Sequence, residues 1–177
     1  FVDPEELDQF LCRAAFCVEH FGTPKVGEAE LQAALRSLCT GLRSFADLRR
    51  AAGNGAFLQM LMSMLAPGDA VLLEREAPTR IQLPSGRRAP VRYVRDKDPW
   101  VASRLQDFFG MEESPKIAGG RTALVIHLLA PNQRPVQTTT DLAGFWRRLY
   151  PEIRKQLSRR YPRHAWPENP VAPRTAG

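Results

Sequence analysis

Residues 117–167, IAGGRTALVIHLLAPNQRPVQTTTDLAGFWRRLYPEIRKQLSRRYPRHAWP, run through a strand, a turn, a second strand and a long basic helical segment. Residues 123–129 (ALVIHLL) form a short apolar run rich in branched side chains, which suits a mostly buried strand. Pro131, Asn132 and Pro135 punctuate a turn, and residues 136–140 are β-branched enough to return as a partner strand. Asp141 can then cap a helix, its carboxylate accepting from the first free amides. Leu142, Phe145, Trp146, Leu149, Ile153, Leu157 and Tyr161 recur at steps of three and four, which defines one apolar face. Pro151 interrupts the run, so it either kinks the helix or opens a second one as its first residue.

The opposite face carries Arg147, Arg148, Arg154, Lys155, Arg159, Arg160 and Arg163. Arg148, Lys155, Arg159 and Arg163 fall at steps of seven, four and four, so a continuous helix would hold them on one stripe. Such a face can be a solvated outer surface, a surface that contacts nucleic-acid phosphates, or a dock for an acidic protein.

The surrounding chain sets limits on these readings. Its 177 residues, 44% hydrophobic and 25% charged, are enough to bury a real core as one domain or two small ones. No apolar run is long enough to cross a bilayer, and the opening FVDPEEL lacks the basic and apolar regions of a signal peptide. The absence of an initial Met suggests a piece of a longer protein. Cys12, Cys17 and Cys39 are odd in number and unpaired in spacing, which favours reduced, buried thiols in a cytoplasmic protein over a disulfide framework or a metal site. The net charge of +6 is unevenly spread. Residues 1–77 carry 7 Lys/Arg and 11 Asp/Glu, a net of −4, whereas residues 78–177 carry 18 and 8, a net of +10. A polyanion should therefore meet the second half and be repelled by the first.

From the N-terminus, Asp3 can cap a helix over residues 4–21 that buries Leu7, Phe10, Leu11, Ala14, Ala15, Val18 and Phe21 and stops at Gly22. A second helix over residues 28–42 would bury Leu31, Leu35 and Leu38, and Ser44 caps a short third. Gly53, Asn54 and Gly55 break the chain before a strongly apolar helix that ends at Pro67-Gly68. Residues 79–83 and 90–94 suggest two strands joined by a turn at 84–87. Asp98 or Pro99 then begins a helix with Trp100, Val101, Leu105, Phe108 and Phe109 inward. Gly119-Gly120 precedes a strand and lacks a following G-K-[ST], so the pair serves a tight turn and not a phosphate loop.

No catalytic signature is present: there is no G-x-S-x-G, H-E-x-x-H, Walker-type loop or GxGxxG. His127 in its apolar run suits a structural histidine with one hydrogen-bond partner. His164 and Trp166, with Tyr161, are candidates for stacking on unpaired bases.

Residues 73–93 (LEREAPTRIQLPSGRRAPVRY) and 100–170 closely resemble the C-terminal region of the HrpB family of bacterial DEAH-box ATP-dependent helicases. The order of P-[ST]-G-[RS]-R at 84–88, G-R-x-x-L at 120–124, D-L-x-x-F-W at 141–146 and R-Y-P-[KR]-H-x-W-P at 160–167 carries the resemblance. Residues 31–73 are compatible with the helical stretch preceding it, and the first thirty match loosely. The resemblance implies ATP hydrolysis, with ATP and Mg, in RecA-like domains N-terminal to this region. Their motifs do not occur here, so neither ATPase activity nor a cofactor carries over to this segment.

The expected fold is α+β: a helical bundle over residues 1–77, a basic module over 78–170 with a small, mainly antiparallel sheet flanked by helices, and a frayed tail over 171–177. The expected role is a non-enzymatic accessory module that guides RNA or DNA through Arg147, Arg148, Arg154, Lys155, Arg159, Arg160 and Arg163, extended by Arg87, Arg88, Arg121, His164 and Trp166. The alternative is a structural or regulatory module that docks on the helicase motor domains or recruits a protein.

Overall fold

The computed structural model describes residues 2–172, so residues 173–177 of the expected frayed tail lie outside the described residues. The chain divides into two compact units: Phe1–Pro78 with Tyr93–Lys97, and Thr79–Arg92 with Asp98–Gly177.

The first unit is helical. α1 (Pro4–Phe21) starts where Asp3 Oδ1 accepts from the Glu5 amide at 2.8 Å and stops at Gly22, whose φ of 67° is left-handed. Its buried face is Phe10, Cys12, Arg13, Ala14, Phe16 and Cys17. The expected face is thus rotated by about a residue, Ala15 being exposed and Leu11, Val18 and Phe21 half-buried. The rotation follows what α1 packs against. Arg13 reaches carbonyls at the end of α5 (Pro67–Glu76), and the Gln9 amide pairs with the Tyr93 N–H and C=O, at 2.9 Å each.

α2 (Glu28–Cys39) is shorter than expected and buries Ala34, while Leu35 is 45% exposed. Cys39, expected inside, is also exposed. Ser44 caps α3 (Phe45–Ala51) by accepting from the Asp47 amide at 3.1 Å. Asn54 and Gly55, with φ of 56° and 73°, break the chain before α4 (Ala56–Met64). Pro67 does not merely end that helix. Its fixed φ suits a first helical position, and it opens α5.

The second unit is built on a five-stranded sheet of order β1-β2-β3-β6-β7. β1 (Arg80–Gln82) and β2 (Arg88–Val94) pair antiparallel across a turn closed by Leu83 N–H to Arg87 C=O at 2.8 Å. The helix expected from Asp98 is instead β3 (Lys97–Arg104), followed by a 3₁₀ turn, Leu105–Phe108. The period decides it: Pro99, Val101, Ser103 and Leu105 are buried while Trp100, Ala102 and Arg104 are half-buried, an alternation of two. Asp96, with φ of 57°, supplies the tight reversal from β2 that the sequence reading missed.

β4 (Lys116–Ile117) and β5 (Thr122–Ala123) form a separate two-stranded sheet across Ala118, Gly119 and Gly120, all at positive φ (54°, 63° and 86°), which is the tight turn expected of the two glycines. β6 (Val125–Leu129) runs parallel to β3, and β7 (Pro135–Thr139) antiparallel to β6. The sheet is therefore mixed, because the crossover through residues 105–124 returns the chain in the direction of β3.

The predicted long helix is two: α6 (Leu142–Arg148) and α7 (Tyr150–Arg160). Pro151 sits in the first turn of α7, so it opens a second helix. The break turns Leu149 outward, 42% exposed, and buries Tyr150 beside Phe109, Phe145 and Trp146 at ring-centroid separations of 5.9, 6.5 and 5.2 Å. Around them Val101, Leu105, Phe108, Leu124, Ile126, Leu128 and Leu142 are fully buried and form the core of this unit. Among the described residues no single helix is long and apolar enough to cross a membrane.

Candidate nucleic-acid interface

The basic side chains of α6 and α7 do not form one uninterrupted stripe. Arg148 lies on α6 and Arg163 beyond the end of α7, so of the four residues at steps of seven and four only Lys155 and Arg159 share a helix. They are one turn apart on the same face.

Arg147 and Arg148 are exposed. Arg148 is tied to Asp141 Oδ2 at 3.1 Å, while Asp141 Oδ1 accepts from the Gly144 amide at 2.8 Å. The Gly144 amide first, and then Arg148, hold the Asp141 carboxyl below its ordinary value of 3.8. A Cβ at Gly144 would meet both the Asp141 carboxylate and the Arg148 guanidinium, so this helical glycine makes room for the cap and the ion pair together.

On α7, Lys155 pairs with Glu152 at 2.9 Å with both side chains largely in solvent, a contact worth at most about 1 kcal/mol and easily exchanged for a phosphate. Arg159 and Arg160 are exposed in the last turn, where cations oppose the negative end of the helix dipole, and the Arg160 guanidinium lies 5.7 Å from the Tyr161 ring centroid. Arg154 differs from its neighbours. Its Nε donates to the Trp166 carbonyl at 2.8 Å and its guanidinium lies 3.7 Å from Glu168, so it fastens the segment after α7 to the helix. This commitment argues against a free phosphate ligand.

Arg163 and His164 are exposed in the turn that follows. Trp166 departs from the sequence expectation of an open stacking surface: the residue is buried, 8% exposed, and its Nε1 donates to the Tyr161 carbonyl at 2.9 Å. Arg87 and Arg88 are exposed on the β1–β2 hairpin, and Arg121 is exposed before β5. They belong to other elements than the cluster on α6, α7 and the following turn.

Two features escaped sequence reasoning. Arg13 is buried against the end of α5, whereas an arginine next to apolar positions of an amphipathic helix reads as a boundary residue. The outward side chains of β3 were hidden by the helix assignment, although the period of two in PWVASR was the available signal. His127 fulfils its structural reading, with Nδ1 3.0 Å from Thr138 Oγ1.

Two buried polar groups inside the second unit engage each other. Ser103 Oγ donates to Asp107 Oδ2 at 2.5 Å, both residues being buried, and the Arg104 guanidinium lies 3.6 Å from the same oxygen. That serine proton is committed to a carboxylate. Among the described residues, no three His, Cys, Asp or Glu side chains converge in the manner of a metal site.

Comparison with known proteins places these features in context. The sequence model of the HrpB C-terminal family, described as ATP-dependent helicase C-terminal, matches residues 34–170. The ATP-dependent RNA helicase HrpB of Escherichia coli (strain K12) is 37% identical over 173 residues, covering 96% of this chain and 21% of that protein. The crystal structure of the E. coli DExH-box NTPase HrpB superposes with a TM-score of 0.83 at 35% identity, over 96% of this chain and 21% of that one. A second, of the E. coli DEAH/RHA helicase HrpB, gives 0.70 at 34% identity over 91% and 21%. The chain thus spans about a fifth of the length of these relatives.

Proposed function

The chain belongs to the HrpB C-terminal family of ATP-dependent helicases, and on that premise we propose that it is an accessory module whose basic surface guides RNA beside a motor that lies elsewhere in the parent protein. ATP hydrolysis, with its Mg, is assigned to that motor, and the setting to the cytoplasm. The observation that carries the reading is the cluster of exposed cations Arg147, Lys155, Arg159, Arg160 and Arg163 on α6, α7 and the turn after them. Arg159 and Arg163 have no carboxylate partner among the described residues, and the Lys155 pair is in solvent. Long, exposed cations on two neighbouring helices and the turn after them suit the sequence-tolerant neutralisation of phosphates.

Arg87, Arg88 and Arg121 extend the surface in this proposal, and residues 78–170 form its working module. Arg154 and Trp166 hold the segment and do not contact the strand.

Fluorescence-anisotropy titration of the chain with single-stranded and duplex RNA and DNA, at low and physiological salt, tests the proposal. Salt-sensitive binding that is lost in R147E/K155E/R159E/R160E, with unchanged circular dichroism, is the expected result. Equal binding by parent and variant would remove this surface from the account. No binding by the parent at low salt would turn the basic face into a docking surface for the motor domains or an acidic protein.

A further inference from the structure

The five-stranded sheet has one buried side and one side that reaches solvent, and the second is chemically unlike the first. The buried side carries Ala89, Val91, Val101, Ser103, Ile126 and Leu128. Register across β3, β6 and β7 places Trp100, Arg104, His127 and Thr138 in the outward rows of those strands, and Arg80 and Arg88 lie on the exposed side of the adjoining β1–β2 pair by the burial alternation of β2.

Trp100 and His127 lie on neighbouring strands and meet edge to face, with ring centroids 4.9 Å apart and planes at 85°. Both residues are half-buried and neither is sealed in the core. Thr138, on the third strand of the same row, fixes the imidazole through Nδ1 at 3.0 Å. That leaves His127 Nε2 with no protein partner among the described residues.

Strands β1 and β2, on one side of the rings, carry exposed cations. Arg80 is exposed on the edge strand β1 and Arg88 on its neighbour β2, with Arg80 Nη1 donating to the Arg88 carbonyl at 3.2 Å, while Arg104, its side chain 41% exposed at the far end of β3, lies 3.6 Å from the Asp107 carboxylate. The five strands contain a single carboxylate, Asp98, against Arg80, Arg88, Arg92, Lys97 and Arg104.

We infer that this face of the sheet is a stacking platform for unpaired RNA, Trp100 and His127 receiving bases while Arg80 and Arg88 meet the phosphates. The inference rests on the nucleic-acid reading above and gives it a substrate class, because an aromatic platform engages bases that a duplex keeps stacked. Charge complementarity commits the face to a polyanion. The free His127 Nε2 can bond a ribose hydroxyl or a base edge.

The test uses the whole chain with fluorescein-labelled oligouridine and a duplex RNA of equal length. W100L keeps apolar bulk and removes the π-face, and R80Q/R88Q alters exposed side chains alone. Relative to the parent, W100L is expected to weaken oligouridine binding roughly five- to hundredfold, the loss of one stacked base, and to leave duplex binding unchanged. R80Q/R88Q is expected to weaken it while lowering its salt dependence. Oligouridine should quench tryptophan fluorescence in the parent more than in W100L. Parent-like oligouridine binding by both variants would overturn the platform, even if the α7 charge reversal abolished binding and so upheld the basic surface. No RNA binding by the parent at low salt would overturn both readings and leave the face to a protein. If W100L fails to fold, R80Q/R88Q and the parent's quenching decide the matter.

Discussion

Arg13 donates its Nε proton to the carbonyl of Ala77 at 2.8 Å, joining α1 to the end of α5 across 64 residues of sequence. Its Nη2 lies 3.0 Å from the Glu74 carboxylate and 3.5 Å from the Leu73 carbonyl. The Leu73 carbonyl already accepts from the Ala77 amide at 3.1 Å, whereas the Ala77 carbonyl lies past the last helical donor, and a buried guanidinium from another helix supplies one. Arg13→Met should cost about 2–4 kcal/mol, set by the lost charge-assisted bonds and moderated because Glu74 can turn to water. Lys at the same place, a point charge without the planar fork, should recover part of that. Urea unfolding of the three proteins measures it, and a Met variant as stable as the parent would contradict the role.

The thiols separate by burial. Cys12 and Cys17 are buried and Cys39 is exposed. Burial first, then the Asp8 carboxylate, raises Cys12, and burial pushes the Cys17 thiol up to about 11. One thiol should therefore react promptly with a chromogenic disulfide reagent in native buffer and the other two only after denaturation. Cys39→Ser should abolish the prompt phase, and a prompt phase that survives it would contradict the assignment.

The same contrast shows how far the sequence could be read. The starts of these helices were legible because a cap is a local event: Asp3, Ser44 and Asp141, each expected as a cap, accept from the amides of Glu5, Asp47 and Gly144. The strand pair at residues 125–139 was legible because its residue types and punctuation agree. The β3 strand was not, since WVASRLQDFF also satisfies a helical spacing and the deciding turn at Asp96 has no glycine. Parallel pairing of β3 with β6 depends on a crossover that no local pattern encodes. The candidate site followed suit: charge was visible as composition, whereas the engagement of Arg154 by Trp166 and of Arg148 by Asp141 depends on tertiary placement.

Asp141 gives an acid-side prediction. Its folded carboxyl titrates below the ordinary 3.8, so its contribution is present above that pH and is lost as pH falls through the lowered value. Asp141→Ala should lower the melting temperature at neutral pH, and the gap to the parent should close as the solution is taken below about pH 4. A gap independent of pH would mean the residue acts through packing and not through its charge.

Tyr150 gives the alkaline counterpart. Burial raises its hydroxyl from 10.0 to about 12, against the opposing effect of Arg154, and the same hydroxyl donates to the Pro167 carbonyl at 2.7 Å. A raised acid favours the neutral form in the folded state, so its contribution is intact below pH 10 and is lost as the pH climbs from 10 towards 12. Tyr150→Phe removes both the bond and the titration. It should cost about 1 kcal/mol at neutral pH, since the Pro167 carbonyl loses its donor while the ring still fills the space among Phe109, Phe145 and Trp146. Denaturant unfolding at neutral pH and at about pH 11 would separate the two effects: the parent should lose more stability than the Phe variant on going to the higher pH. Equal losses would place the alkaline sensitivity elsewhere, with the deeply buried Tyr93, also raised by burial and bonded to the Pro78 carbonyl, as the next residue to replace.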